Sequence, residues 1–71
     1  MKSIYSNEYN EFVKKLKQAR LDANIEQKEI AKIIGKSQSY ISKIEKGQIR
    51  LDIIQLKHLS CIYKKDIFYF L

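Results

Sequence analysis

The spacing of apolar side chains divides the chain into helical segments joined by short breaks. Phe12, Leu16, Ala19 and Ala23 recur at helical intervals with Lys14, Lys15 and Lys17 between them, giving the first segment an apolar stripe. Ser6 or Asn7 can cap this helix, with Glu8 and Glu11 favourably placed near its positive end. Residues 1–7 read as a frayed lead, and Asn24, which tolerates left-handed geometry, marks the far end. A second segment from Gln27 to Ile34 aligns Ile30, Ala31 and Ile34, and Gly35 follows where a positive φ costs it little. Ser37 can cap a third helix from Gln38 to Lys46, with Ile41 and Ile44 inward and Gly47 as its stop. Asp52, with Gln55 at the capping-box position, opens a fourth helix in which Leu56, Leu59, Ser60 and Tyr63 share a face. Beyond Lys64 and Lys65, Asp66 can cap a last turn from Ile67 to Leu71. The run IFYFL also has edge-strand composition, but no partner strand is visible, so a packed helical turn is expected.

The expected architecture is therefore all-α, a compact bundle of about five short helices in a single domain over residues 1–71. A chain of 71 residues buries only about 60% of its unfolded surface, too little for a barrel, a dinucleotide fold or a deep catalytic cleft. The mixture of 45% hydrophobic and 31% charged residues is that of an ordinary globular domain rather than a disordered tail. Cys61 has no partner for an internal disulfide, and His58 stands alone, so no zinc-ligand spacing is present and no cofactor is expected. Met1 to Glu8 is too polar for a signal peptide, no apolar run approaches the roughly 18 residues of a membrane span, and a cytoplasmic protein is expected. The length also leads us to expect no separate ligand-sensing domain. Fourteen basic against eight acidic side chains give a net charge of +6, which suits a polyanionic partner, either nucleic acid or a membrane surface.

Spacing chooses between those partners. Ala31, Gly35, Ile41 and Ile44 stand at intervals of four, six and three: a small residue where two helices cross, a reversal within a short turn, and two anchors for the following helix. Such a pair is a helix-turn-helix, whose second helix lies in the DNA major groove. A membrane-surface peptide would instead need one long helix with basic and aromatic faces, and Gly35 and Gly47 interrupt any such helix.

The wider sequence resembles the Cro/C1-type (XRE) helix-turn-helix family, in its lambda-repressor-like form. The resemblance covers residues 12–71 and rests on QKEIAKIIGKSQSYISKIEKGQIRLD followed by an aliphatic helix ending near Tyr63 and a YF tail. The chain departs from the common pattern where Ser37 and Asp66 replace Pro, Ser60 replaces Ala and Leu51 replaces Pro. Ser and Asp cap helix starts by hydrogen bonding, so these changes leave the expected fold intact.

The resemblance implies that Gln38 opens the recognition helix and reads a base, which its amide can do bidentately on adenine. Ser39 follows on the exposed face, Ser42 lies four residues after Gln38 and so points to the same side as it does, and Lys43 can reach a base edge or a phosphate. By the same resemblance Gln27 clamps a phosphate and braces the first residue of the recognition helix. Tyr40 is expected either to pack at the core edge or to reach the DNA backbone. Lys36, Lys46, Gln48 and Arg50 frame the recognition helix and position the duplex without reading it. Glu45, the sole acidic residue between Lys36 and Arg50, is implied to pair with Arg20 on the first helix.

These residues define the expected function: a sequence-specific regulator of transcription that binds a double-stranded DNA operator, a repressor or a phage- or restriction-type controller acting as a homodimer. The alternative is an antitoxin or another protein-binding module of the same fold, for which Ile62, Phe68, Phe70 and Leu71 would offer apolar contacts to a toxin or other partner. An enzyme is not expected. Cys61 and His58 can meet on one helix, but no oriented acid or pocket accompanies them, and Cys61 reads as a small buried or interface hydrophobe.

Overall fold

The structure, a computed structural model, describes the backbone of residues 5–71 and the side chains of residues 7–71. Helix α1 spans Tyr5–Asp22, α2 Gln27–Ile34, α3 Gln38–Glu45 and α4 Ile53–Tyr63, and a 3-10 turn covers Ile67–Tyr69. There are thus four α-helices and one 3-10 turn where about five short helices were expected, and the first helix runs for 18 residues. No strand occurs among the described residues.

Helix α1 begins earlier than its sequence suggests. Ser6 and Asn7 lie inside it instead of capping it, so the frayed lead of residues 1–7 does not hold for its last three; residues 1–4 lie outside the described residues. Two forces favour the extra turn. Glu8 sits in the first turn, where a carboxylate meets the positive helix end. Tyr9 and Phe12 pack on other parts of the chain, and extending an existing helix costs far less than nucleating one.

The breaks between helices follow local chemistry. Gly35 takes φ 73° and Lys36 N–H closes on Ala31 O at 2.8 Å, a left-handed C-terminal turn. A side chain at Gly35 would meet nothing within 4 Å, so backbone geometry, not space, calls for glycine there. Ser37 Oγ accepts the Tyr40 N–H at 3.1 Å and Asp52 Oδ1 accepts the Gln55 N–H at 2.8 Å, satisfying orphan donors at the starts of α3 and α4. The third helix ends at Glu45, with Lys46 as its cap and Gln48 N–H returned to Lys43 O at 2.9 Å. Lys64 closes α4 in the left-handed region at φ 58°, and Asn24 takes φ 63° after α1.

The last residues are too few to close α-helical bonds. Tyr69 N–H reaches Asp66 O at 2.9 Å and Phe70 N–H reaches Ile67 O at 3.1 Å, the tighter pattern of a 3-10 turn. Asp66 Oδ1 caps it by accepting the Phe68 N–H at 2.9 Å. This turn folds Phe70 inward to 3% exposure and leaves Phe68 and Leu71 at 76%. Phe70 is therefore a core residue and is withdrawn from the apolar contacts offered to a partner.

Leu16 and Ala19 of α1, Ile30 and Ala31 of α2, Ile41 and Ile44 of α3, and Leu56, Leu59 and Tyr63 of α4 complete the core with Phe70. Val13 is buried beside the expected α1 stripe, while Phe12, Ala23 and Ile34 are only partly buried. Full burial of a Leu or Ile side chain stabilises by about 1.5–3 kcal/mol, so this small set carries most of the driving force. Cys61 lies exposed on α4, so of the two expected settings, buried or at an interface, the buried one does not hold.

Candidate nucleic-acid interface

Helices α2 and α3 pack directly on one another through Ile30, Ala31, Ile41 and Ile44, all within 2% of full burial. Burying that face of α3 turns its opposite face to solvent. Gln38, Ser39 and Lys43 are exposed there, and Ser42 is half-buried at its edge. This leaves a polar strip of one amide, two hydroxyls and an ammonium, groups able to donate to or accept from base edges.

Cations surround the strip. Lys36 precedes α3 and its Nζ stands 5.2 Å from the centre of the Tyr40 ring; Tyr40 itself is half-buried. Partial burial, with the negative charge of Asp52 next, raises the Tyr40 hydroxyl pKa above its ordinary value, so it remains a neutral donor. Lys46 and Gln48 are exposed at the far end of α3, and Arg50 is exposed in the loop beyond.

The one acidic residue of this stretch points away from the strip. Arg20 Nε donates to Glu45 Oε2 at 2.7 Å and Arg20 Nη2 to Glu45 Oε1 at 3.1 Å, a two-pronged pair with side chains only 8% and 4% exposed. Arg20 Nη1 donates to Ile25 O at 2.8 Å, fastening the turn after α1. Among the described residues Gln27 makes no hydrogen bond to the first residue of α3. Its Nε2 donates to Glu45 Oε1 at 2.9 Å, so Gln27 braces the last residue of that helix. The physical reason is proximity to a buried carboxylate, which attracts a further donor more strongly than the exposed Gln38 amide does. One carboxylate at the end of α3 therefore ties α1, α2 and α3 together. Tyr63 lies near it, and burial, with the Glu45 charge next and opposed by Arg20, raises the Tyr63 hydroxyl pKa far above its ordinary value.

A second anchor was not apparent in the sequence. Tyr9 Oη donates to Ile49 O at 3.2 Å and accepts the Leu51 N–H at 3.3 Å, gripping the loop between α3 and α4 on both sides of Arg50. The Arg50 guanidinium carbon lies 4.6 Å from the centre of the Tyr9 ring. Tyr9 continues into a row of rings, with Phe12 at 5.5 Å, Phe70 a further 6.3 Å on and Tyr69 a further 5.1 Å. Lys65 Nζ stands 4.7 Å from the Tyr69 ring at the other end. The signal available in the sequence was weak: Tyr9 sits one helical turn before Phe12, but nothing local marks its distant loop partner.

A helix pair crossing at a small buried residue, with a polar outer face on its second member, is the helix-turn-helix arrangement. A family model described as helix-turn-helix matches residues 16–70, and the chain belongs to this family, the Cro/C1-type group of DNA-binding regulators. No curated protein and no solved structure matches the chain significantly. No helix among the described residues is long and apolar enough to cross a membrane, and no group of three or more His, Cys, Asp or Glu among them is placed to hold a metal ion.

Proposed function

We propose that the protein is a sequence-specific, double-stranded DNA-binding regulator of transcription that works as a homodimer in the cytoplasm, as a repressor or a phage- or restriction-type controller. The observation that supports this best is the outer face of α3, where Gln38, Ser39 and Lys43 are exposed while the helix is held rigidly by Ile41, Ile44 and Glu45. In this reading Gln38, Ser39, Ser42 and Lys43 meet base edges. Lys36, Tyr40, Lys46, Gln48 and Arg50 hold phosphates, as does Gln27 through its remaining amide groups. The Arg20–Glu45 pair is structural.

Mechanistically, cations neutralise phosphates and release their counterions, which supplies affinity and makes it fall with salt. The fixed helix then presents short polar side chains to the groove, and mismatched partners there are left unpaired. Two copies would read half-sites about 34 Å apart. Occupancy of such a site alters polymerase access without any cofactor. Selecting bound sequences from a random duplex pool tests the reading: recovery of a two-fold symmetric site supports it, and recovery of unselected sequence refutes specificity.

A second reading is favoured by one observation, the exposure of Ile53, Ile54, Phe68 and Leu71 at 56–76%. Large exposed apolar side chains serve either a second copy or a different protein, as in an antitoxin. Binding of a labelled random duplex at low salt separates the two, since a purely protein-binding module would not bind it.

A further inference from the structure

We infer that Tyr9, outside the helix pair, is a positioning residue for DNA: it holds the Gly47–Leu51 loop and sets the Arg50 guanidinium for a phosphate. This rests on the DNA-binding reading above. The hydroxyl of Tyr9 bonds the loop backbone at Ile49 and Leu51, the residues flanking Arg50, so the Arg50 backbone is pinned from both sides. The ring of Tyr9 lies against the guanidinium at 4.6 Å. A cation held over a ring in this way meets no conventional hydrogen-bond acceptor there, so the guanidinium N–H donors are left for another partner. Among the described residues Arg50 makes no hydrogen bond or ion pair, although Glu8 borders the same groove. An arginine held in place with its N–H donors unengaged is prepared for an anion that accepts two parallel hydrogen bonds, and two oxygens of a backbone phosphate do so.

The same tyrosine also borders the start of the loop. Gly47, at φ 74°, lies beside the Tyr9 ring, where a Cβ would make ordinary van der Waals contact at 3.9 Å. The loop thus begins at a left-handed glycine next to the ring that holds its far end. Holding Arg50 in place before DNA arrives removes part of the side-chain ordering cost that a free arginine meets on binding.

The test uses the full chain and a labelled random-sequence duplex titrated over a range of salt. Arg50→Gln is expected to make the dependence of log affinity on log salt shallower by about 0.9, the value of one phosphate contact, and Tyr9→Leu to weaken binding although Arg50 keeps its charge. In the Arg50→Gln background Tyr9→Leu is expected to cost no further affinity, because its effect runs through Arg50. Unchanged affinity in Tyr9→Leu, or the same loss again when it is added to Arg50→Gln, would overturn the proposal. Should Tyr9→Leu fail to fold, the parent chain answers instead through the NMR signal of the Arg50 Nε–H, which is expected upfield of a free arginine beside the ring. That signal is expected to stay upfield and to exchange more slowly with water when duplex is added. Its return to the position of a free arginine on binding would overturn the proposal. Failure of the parent to bind the duplex at low salt would remove the DNA reading itself, an outcome distinct from loss of the Tyr9 role alone.

Discussion

Removing the Glu45 carboxylate is expected to cost more stability than any exposed charge change. In Glu45→Ala, Arg20 loses its bonds of 2.7 and 3.1 Å and keeps only Ile25 O, while Gln27 loses its acceptor at 2.9 Å. Because the Arg20 side chain is only 8% exposed, water cannot replace the lost partner fully. Breaking a buried pair from one side typically costs about 3–5 kcal/mol. A domain of this length holds roughly 4–10 kcal/mol in total at 0.05–0.15 kcal/mol per residue, so the change removes a large share. With a urea dependence near 1 kcal/mol per molar for small domains, the midpoint should fall by about 3 M. Helical circular dichroism followed through a urea titration measures this. Glu11→Ala, which breaks a 3.6 Å surface pair with side chains 74% and 66% exposed, serves as the control and should move stability by about 0.5 kcal/mol or less. The combined Arg20→Met and Glu45→Met variant should recover most of the loss, since apolar pairs often replace buried ion pairs without penalty. If Glu45→Ala and Glu11→Ala share one midpoint, the carboxylate does not organise the fold.

The other expectations concern pH, base reading and association. Tyr63 ionises near pH 10 when unfolded but at a higher pH when folded, so its stabilising contribution is complete below pH 10 and declines as pH rises above it. Tyr63→Phe should therefore lose less stability than the parent between neutral pH and strong alkali, and equal losses in urea titrations at both pH values would refute this. Lys43→Gln should weaken duplex binding and, if Lys43 holds a phosphate, reduce the salt slope by about 0.9. Gln38→Ala should leave the slope unchanged but relax preference at one base pair by about 1–3 kcal/mol, read by competition with altered duplexes. Phe68→Ser with Leu71→Ser should shift a dimer towards monomer in sedimentation without unfolding, because both side chains are 76% exposed. Truncation after Asp66 is the poorer experiment, since it also removes Phe70 from the core.

Much of the scaffold was legible because its signals are local. Ser37, Asp52 and Asp66 each cap the segment they precede, and Gly35 adopts the left-handed turn that its place after Ile34 implies. The inward faces of α3 and α4 follow directly from apolar spacing. The start of α1 is not legible locally because Tyr9 makes contacts some forty residues away in sequence, at Ile49 and Leu51, which no local rule reports. The tail was only half legible: its capped turn could be read, but a 3-10 turn rotates alternate residues differently from a full helix, so Phe70 buries while Phe68 does not. In the candidate site, exposure of Gln38, Ser39 and Lys43 follows from the opposite burial of Ile41 and Ile44. The partner of Gln27 does not, because two helices must first be packed before its amide can find Glu45.

The enclosure of the Arg20–Glu45 pair gives the protein two unequal responses to ionic strength. Charges shielded from solvent are screened far less than charges on the surface, so the clamp that sets the pitch of α3 against its neighbours should persist in brine. The contacts around that helix are exposed ammonium and guanidinium groups, whose grip on a polyanion weakens steeply under the same conditions. Concentrated salt should thus strip the molecule from its duplex while leaving the reading helix fully aimed, and dilution alone would restore binding with no refolding step.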